Sequence, residues 1–146
     1  MKPYEFSLDR SCALLRVTLR GFWDMATMDT YEPRFHEELV ALDAFHPAPT
    51  SCLVDATEYP VQSFPITERH RWLVANLGRL RADRAALVVG TQLVRMQAAR
   101  GLPEERMRVF DREDEALAWL GCVPACNFPP PLDEFTATRD AFSGRA

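Results

Sequence analysis

The sequence predicts an α/β fold: a mixed, mostly parallel sheet with an N-terminal antiparallel hairpin, covered by about four helices. Three observations point there. The runs Ser51-Cys52-Leu53-Val54-Asp55 and Ala85-Ala86-Leu87-Val88-Val89 are short and apolar without polar alternation, as parallel strands covered on both faces are. Other segments repeat apolar residues at intervals of three and four, the period of an amphipathic helix. Strand and helix alternate along the chain, which argues for a sheet crossed by helices. At 146 residues, 47% hydrophobic and 26% charged, the chain suits one core and not two.

The elements follow in order. Residues 4–8 alternate as Tyr-Glu-Phe-Ser-Leu, and Ala13 to Leu19 follow a polar turn at Asp9-Arg10-Ser11, giving the hairpin. Gly21 ends the second strand, and Met28, Tyr31, Phe35, Leu39 and Leu42 then mark a helix between Asp24 and Leu42. Pro33 predicts a kink or restart near Tyr31, because it lacks the amide N–H and crowds the preceding turn. After the loop His46 to Thr50 comes the strand ending at Asp55, then a loop from Ala56 to Pro65. A second helix is expected over Ile66–Arg81, with Trp72, Leu73, Leu77 and Leu80 inward and Glu68, Arg69 and Arg71 outward. The next strand closes at Val89, and Gly90-Thr91 leads into a third helix carrying Leu93, Met96 and Ala99. Arg106 to Phe110 reads as a short strand. Asp111 is the expected N-cap of a last helix with acidic residues in its first turn, closed by Gly121. This places the domain at 1–121 and leaves 122–146, with Pro124 and Pro129 to Pro131, as a proline-rich tail that is either docked or free.

Composition narrows the function. A net charge of −4 supplies no positive field for phosphates, so nucleic acid is not an expected partner. No uninterrupted apolar stretch reaches the length of a membrane span, and the charged N-terminus does not resemble a secretion signal, so the cytoplasm is expected. Cys12, Cys52, Cys122 and Cys126 are accordingly expected as reduced thiols, with Cys122 and Cys126 ordinary thiols of the tail. His36, His46 and His70 are scattered, and no metal or cofactor is expected. The six glycines never cluster into a phosphate loop, and no Gly-x-Ser-x-Gly elbow occurs.

The element order, Gly21-Phe22-Trp23-Asp24 before the first helix, Leu53-Val54-Asp55, and the closing run from Val109 to Leu120 resemble the bacterial STAS domains of the SpoIIAA-like group. The resemblance spans roughly residues 4–121. It implies the fold of anti-sigma-factor antagonists. Regulatory members of that family carry a phosphorylated serine in an Asp-Ser-Ser-Gly-like turn at the start of the second helix. Here that region reads Thr57-Glu58-Tyr59-Pro60-Val61-Gln62-Ser63-Phe64-Pro65, without the turn, which moves the chain toward family members that resemble lipid- or small-ligand-binding modules or have no known activity.

The candidate residues lie at the carboxyl edge of the sheet, where open α/β folds place ligands: Asp55, Thr57 and Thr91, with Ser63 at the start of the second helix. Each has a plainer reading. Asp55 also suits a brace for its own loop, and Ser63, the candidate phosphorylation site, also suits a helix N-cap. Phe22 and Trp23 are either an exposed anchor or the closure of the core end, while Trp72 and Trp119 fit packing of helix on sheet. The expected function is a non-enzymatic module binding a partner protein or a small apolar ligand at that edge. Two alternatives stand beside it: an enzyme using His70 or Asp55 as base, and a homodimer assembled through the tail.

Overall fold

The computed structural model describes residues 2–91, 96 and 106–122. Five strands form one sheet in sequence order: β1 Tyr4–Asp9, β2 Leu14–Arg20, β3 Ser51–Glu58, β4 Arg84–Val89 and β5 Met107–Phe110. β1 pairs antiparallel with β2, and every later pair is parallel. The turn of the hairpin is tied by Asp9, whose Oδ1 accepts from the Ser11 amide at 2.9 Å. The helices are α1 Met25–Asp43, α2 Phe64–Ala75 and α3 Glu113–Leu120, with a single 3-10 turn at Gly78–Leu80. The helix expected after Thr91 falls on residues that, apart from Met96, lie outside the described ones, and so does the tail beyond Cys122.

The period of two along each strand separates two cores. Leu15, Val17, Cys52, Ala56 and Val89 face α1 and α2, together with Trp23 and the five expected positions of α1. Leu14, Leu53, Ala86 and Val88 face Leu117 and Leu120 of α3. Asp24 caps α1 by accepting from the Thr27 amide at 2.8 Å. α1 runs unbroken through Pro33, contrary to the expected kink or restart. Pro33 lies on the exposed side, so water can satisfy the Asp29 carbonyl that loses its partner.

Four further expectations need correction. β3 continues to Glu58, because pairing with β2 extends from Leu14↔Ser51 to Arg20↔Glu58. α2 starts at Phe64 and stops at Ala75; Gly78, at φ +60°, takes a left-handed turn that a helix cannot contain, and the chain passes into the 3-10 turn. Trp72 is half-exposed instead of packed on the sheet, with the Arg69 guanidinium 4.5 Å over its ring. The N-cap of α3 is Arg112, not Asp111, and its acidic first turn is Glu113 to Glu115 as expected.

The cysteines also depart from expectation. Cys12, beside the hairpin turn, and the buried Cys122, just after α3, form a disulfide across 110 residues of sequence. They are therefore neither free thiols nor, for Cys122, part of a loose tail. Sequence distance hid a pairing that the sheet creates: Leu14 and Leu53 share one core cluster with Leu117 and Cys122. Cys52 is a buried free thiol.

Gly90 shows how closely the carboxyl edge is packed. A Cβ there would sit 2.6 Å from the Thr57 carbonyl oxygen, inside contact distance of backbone that cannot step aside. Gly90→Ala is expected to destabilise the fold by about 1–3 kcal/mol, read as a lower urea midpoint at unchanged slope. An unaltered midpoint would contradict the close approach of β4 to the end of β3.

Candidate functional site

The sequence candidates are gathered at one end of the sheet without forming a pocket. Asp55 Oδ1 accepts from the Thr57 amide at 3.0 Å and from the Thr57 hydroxyl at 2.7 Å, so the carboxylate braces its own strand end. Thr91 follows Gly90, which packs on Thr57, so Thr57 and Thr91 do share an edge. Ser63 holds the N-cap position of α2 but its side chain makes no capping bond; its carbonyl instead accepts from the Thr67 amide at 3.0 Å.

Beside them, Gln62 locks two loops together. Its buried side chain accepts from the Trp23 amide at 2.8 Å and donates to the carbonyls of Gly21 at 3.0 Å and Pro60 at 2.8 Å. Trp23 goes inward at 1% exposure while Phe22 is left 69% exposed, so the pair splits between its two readings. Phe64, 74% exposed, stands two residues from Gln62 as the first residue of α2.

A cavity of about 180 Å³ lies between α2 and the sheet. Its floor is Cys52, Val54, Ala56, Ala85, Leu87 and Met107, and its walls are Leu73 and Val74 from α2 and Tyr31, Phe35 and Leu39 from α1. Three floor positions are small, which holds the sheet surface low under the helix. None of Asp55, Thr57, Ser63 or Thr91 lines it. Asp55 and Thr57 alternate with Val54 and Ala56, and so belong to the opposite face of β3.

One polar pair sits in this apolar wall. Tyr59 Oη and His70 Nε2 share a hydrogen bond at 2.8 Å, and the Trp23 ring packs 5.2 Å from Tyr59 and 5.4 Å from His70. Burial pushes the His70 pKa down to about 4, with Glu32 opposing weakly, and it raises the Tyr59 hydroxyl above its usual range. Burial likewise pushes the Cys52 thiol up to about 12. At neutral pH all three groups are uncharged. Above them Glu32 of α1 makes a two-pronged ion pair with Arg69 of α2, whose Nη2 lies 2.7 Å from Oε1.

Among the described residues, Asp9, Cys12 and Cys122 bring potential metal-ligating atoms within 4.8 Å of one another, but the two sulfurs are bonded to each other. No helix of the described residues is long and apolar enough to cross a membrane.

Comparison with solved structures now gives the architecture a name. An uncharacterised protein of the DUF3478 family from Shewanella loihica, described as having a SpoIIAA-like fold, superposes with a TM-score of 0.59. The match covers 80% of this chain and 93% of that one, at 20% identity. The fold is SpoIIAA-like. No family model and no curated protein matches the sequence. The likeness therefore concerns the arrangement of the sheet and helices.

The cavity was not visible in the sequence, although one signal pointed to it. Cys52, Ala56 and Ala85 are small residues on strand positions that face a helix. Spacing alone offers His70 as a potential base or as part of a solvated helix face with Arg69 and Arg71; its burial and its tyrosine partner arise only in the fold.

The His70 pair has a consequence for stability. The folded-state pKa lies below the unfolded value of about 6.5, so the unfolded chain binds more protons between those values. Stability is thus fully present above about pH 6.5 and falls as pH drops toward 4. His70→Phe is expected to flatten this decline, measured as urea midpoints at pH 7, 6 and 5. An equally steep decline in the variant would assign the pH dependence to other groups.

Proposed function

We propose that this chain is a non-enzymatic binding module that takes a small apolar ligand into the cavity under α2. The observation carrying this reading is the cavity itself, with an apolar floor, the neutral Tyr59–His70 pair in its wall, and Gln62, Thr67, Arg71 and Arg81 as the other polar residues lining it. Its volume is close to that of the roughly 150 Å³ engineered cavity that stays dry and binds benzene. Empty, such a space forfeits dispersion contacts that a ligand would restore.

A binding role is favoured over catalysis by the chemistry of the titratable groups. His70 shares its hydrogen bond with a phenol and not with an acid, and at a pKa of about 4 it is a weak base at neutral pH. The Cys52 thiol, held protonated, is a poor nucleophile. Asp55 is turned onto Thr57.

A second reading, a partner protein docked on the carboxyl edge, is supported by Phe22, before α1, and Phe64, opening α2, standing exposed on either side of the Gln62 bonds. One titration separates the two. Octan-1-ol, followed by protein-detected NMR, is expected to shift signals of Val54, Leu87 and Leu73. Ala85→Leu, which fills the floor, is expected to weaken its binding about tenfold while leaving the fold intact. Phe22→Ser with Phe64→Ser is expected to leave octan-1-ol affinity unchanged. Absence of shifts around the cavity, or equal affinity in Ala85→Leu, would contradict the cavity as the site.

A further inference from the structure

Resting on the apolar-ligand reading, we infer that the ligand is an amphiphile with a single anionic head, a carboxylate held at the cavity rim by Arg81. The described residues lining the cavity include two arginines, Arg71 and Arg81, and no aspartate or glutamate. The two arginines are not equivalent. Arg71 already pairs with Glu68 one turn away at 2.7 Å, which neutralises much of its field. Arg81 pairs with no carboxylate among the described residues. It is half-buried between the 3-10 turn and β4, and its Nη2 donates to the Val74 carbonyl at 3.2 Å.

That bond holds the guanidinium against the end of α2, while its remaining N–H donors are free for a second acceptor. A guanidinium fork matches the two oxygens of a carboxylate, and a charge-assisted pair at a half-buried site is stronger than one in open water. The other polar groups lining the cavity, Cys52, Tyr59, Gln62, Thr67 and His70, are all uncharged at neutral pH, and none offers a countercharge to offset the desolvation of an ion. The charge therefore belongs at the rim and the apolar part toward Cys52 and Val54. Scaling from the benzene-sized cavity, the space holds about seven or eight carbons.

The test compares octanoate with octan-1-ol by calorimetry on the full chain at pH 7. Octanoate is expected to bind about tenfold more tightly, and Arg81→Gln to abolish that preference while leaving octan-1-ol affinity unchanged. Unchanged alcohol binding also shows that the variant cavity is intact. Arg81→Lys, which restores the charge, is expected to recover most of the preference. Equal affinity for acid and alcohol, or a preference that survives in Arg81→Gln, would overturn the anionic head and leave the apolar-ligand reading standing. If neither compound binds, the apolar-ligand reading falls and takes this inference with it.

Discussion

Everything distinctive about this molecule depends on how α2 is held. Ile66 is its one fully buried residue, with His70 and Leu73 partly buried, so the helix is not fixed by a continuous apolar stripe pressed into the sheet. It is fixed at chosen points by polar bonds: Glu32 to Arg69 across to α1, Tyr59 to His70 beneath, and Gln62 at its entrance. Directed bonds of this kind set a distance as well as a direction. A helix so suspended over small floor residues leaves space below it, where an apolar face would have closed that space.

The rest of the domain can tolerate this because it is closed elsewhere. α1 buries five large side chains against β1 and β2 and brings in the aromatic group of Tyr4, Phe6, Trp23 and Tyr31. On the opposite face, α3 packs Leu117 and Leu120 on β3 and β4, the Cys12–Cys122 disulfide joins its far end to the hairpin, and Arg16 pairs with Glu113 at 2.7 Å. Stability thus resides mainly in the sheet, α1 and α3, and α2 stands as the least deeply anchored element.

What the sequence made legible was what periodicity carries. The hairpin, the order of strands, the five inward positions of α1 and the acidic start of α3 all follow from alternation or from three-and-four spacing. The SpoIIAA-like architecture followed from their order. The misreadings were decided by side-chain contacts or backbone geometry that spacing does not carry. Trp72 has the spacing of a core residue, yet Arg69 offers its ring a cation at the surface. Gly78 ended α2 early through a left-handed turn. Cys12 and Cys122 meet only once the sheet is assembled. The site was less legible: the sequence puts Asp55, Thr57 and Thr91 at one sheet edge, but the cavity lies under α2 and none of them lines it, because emptiness is a property of volumes and not of residue types.

The central claim, that an apolar cavity separates α2 from the sheet, is tested most directly by a crystal structure of the protein under xenon pressure. The account requires a xenon atom between Leu73 and the floor formed by Ala56 and Ala85, with α2 unmoved. An α2 settled onto those alanines, with no space for the gas, would contradict it.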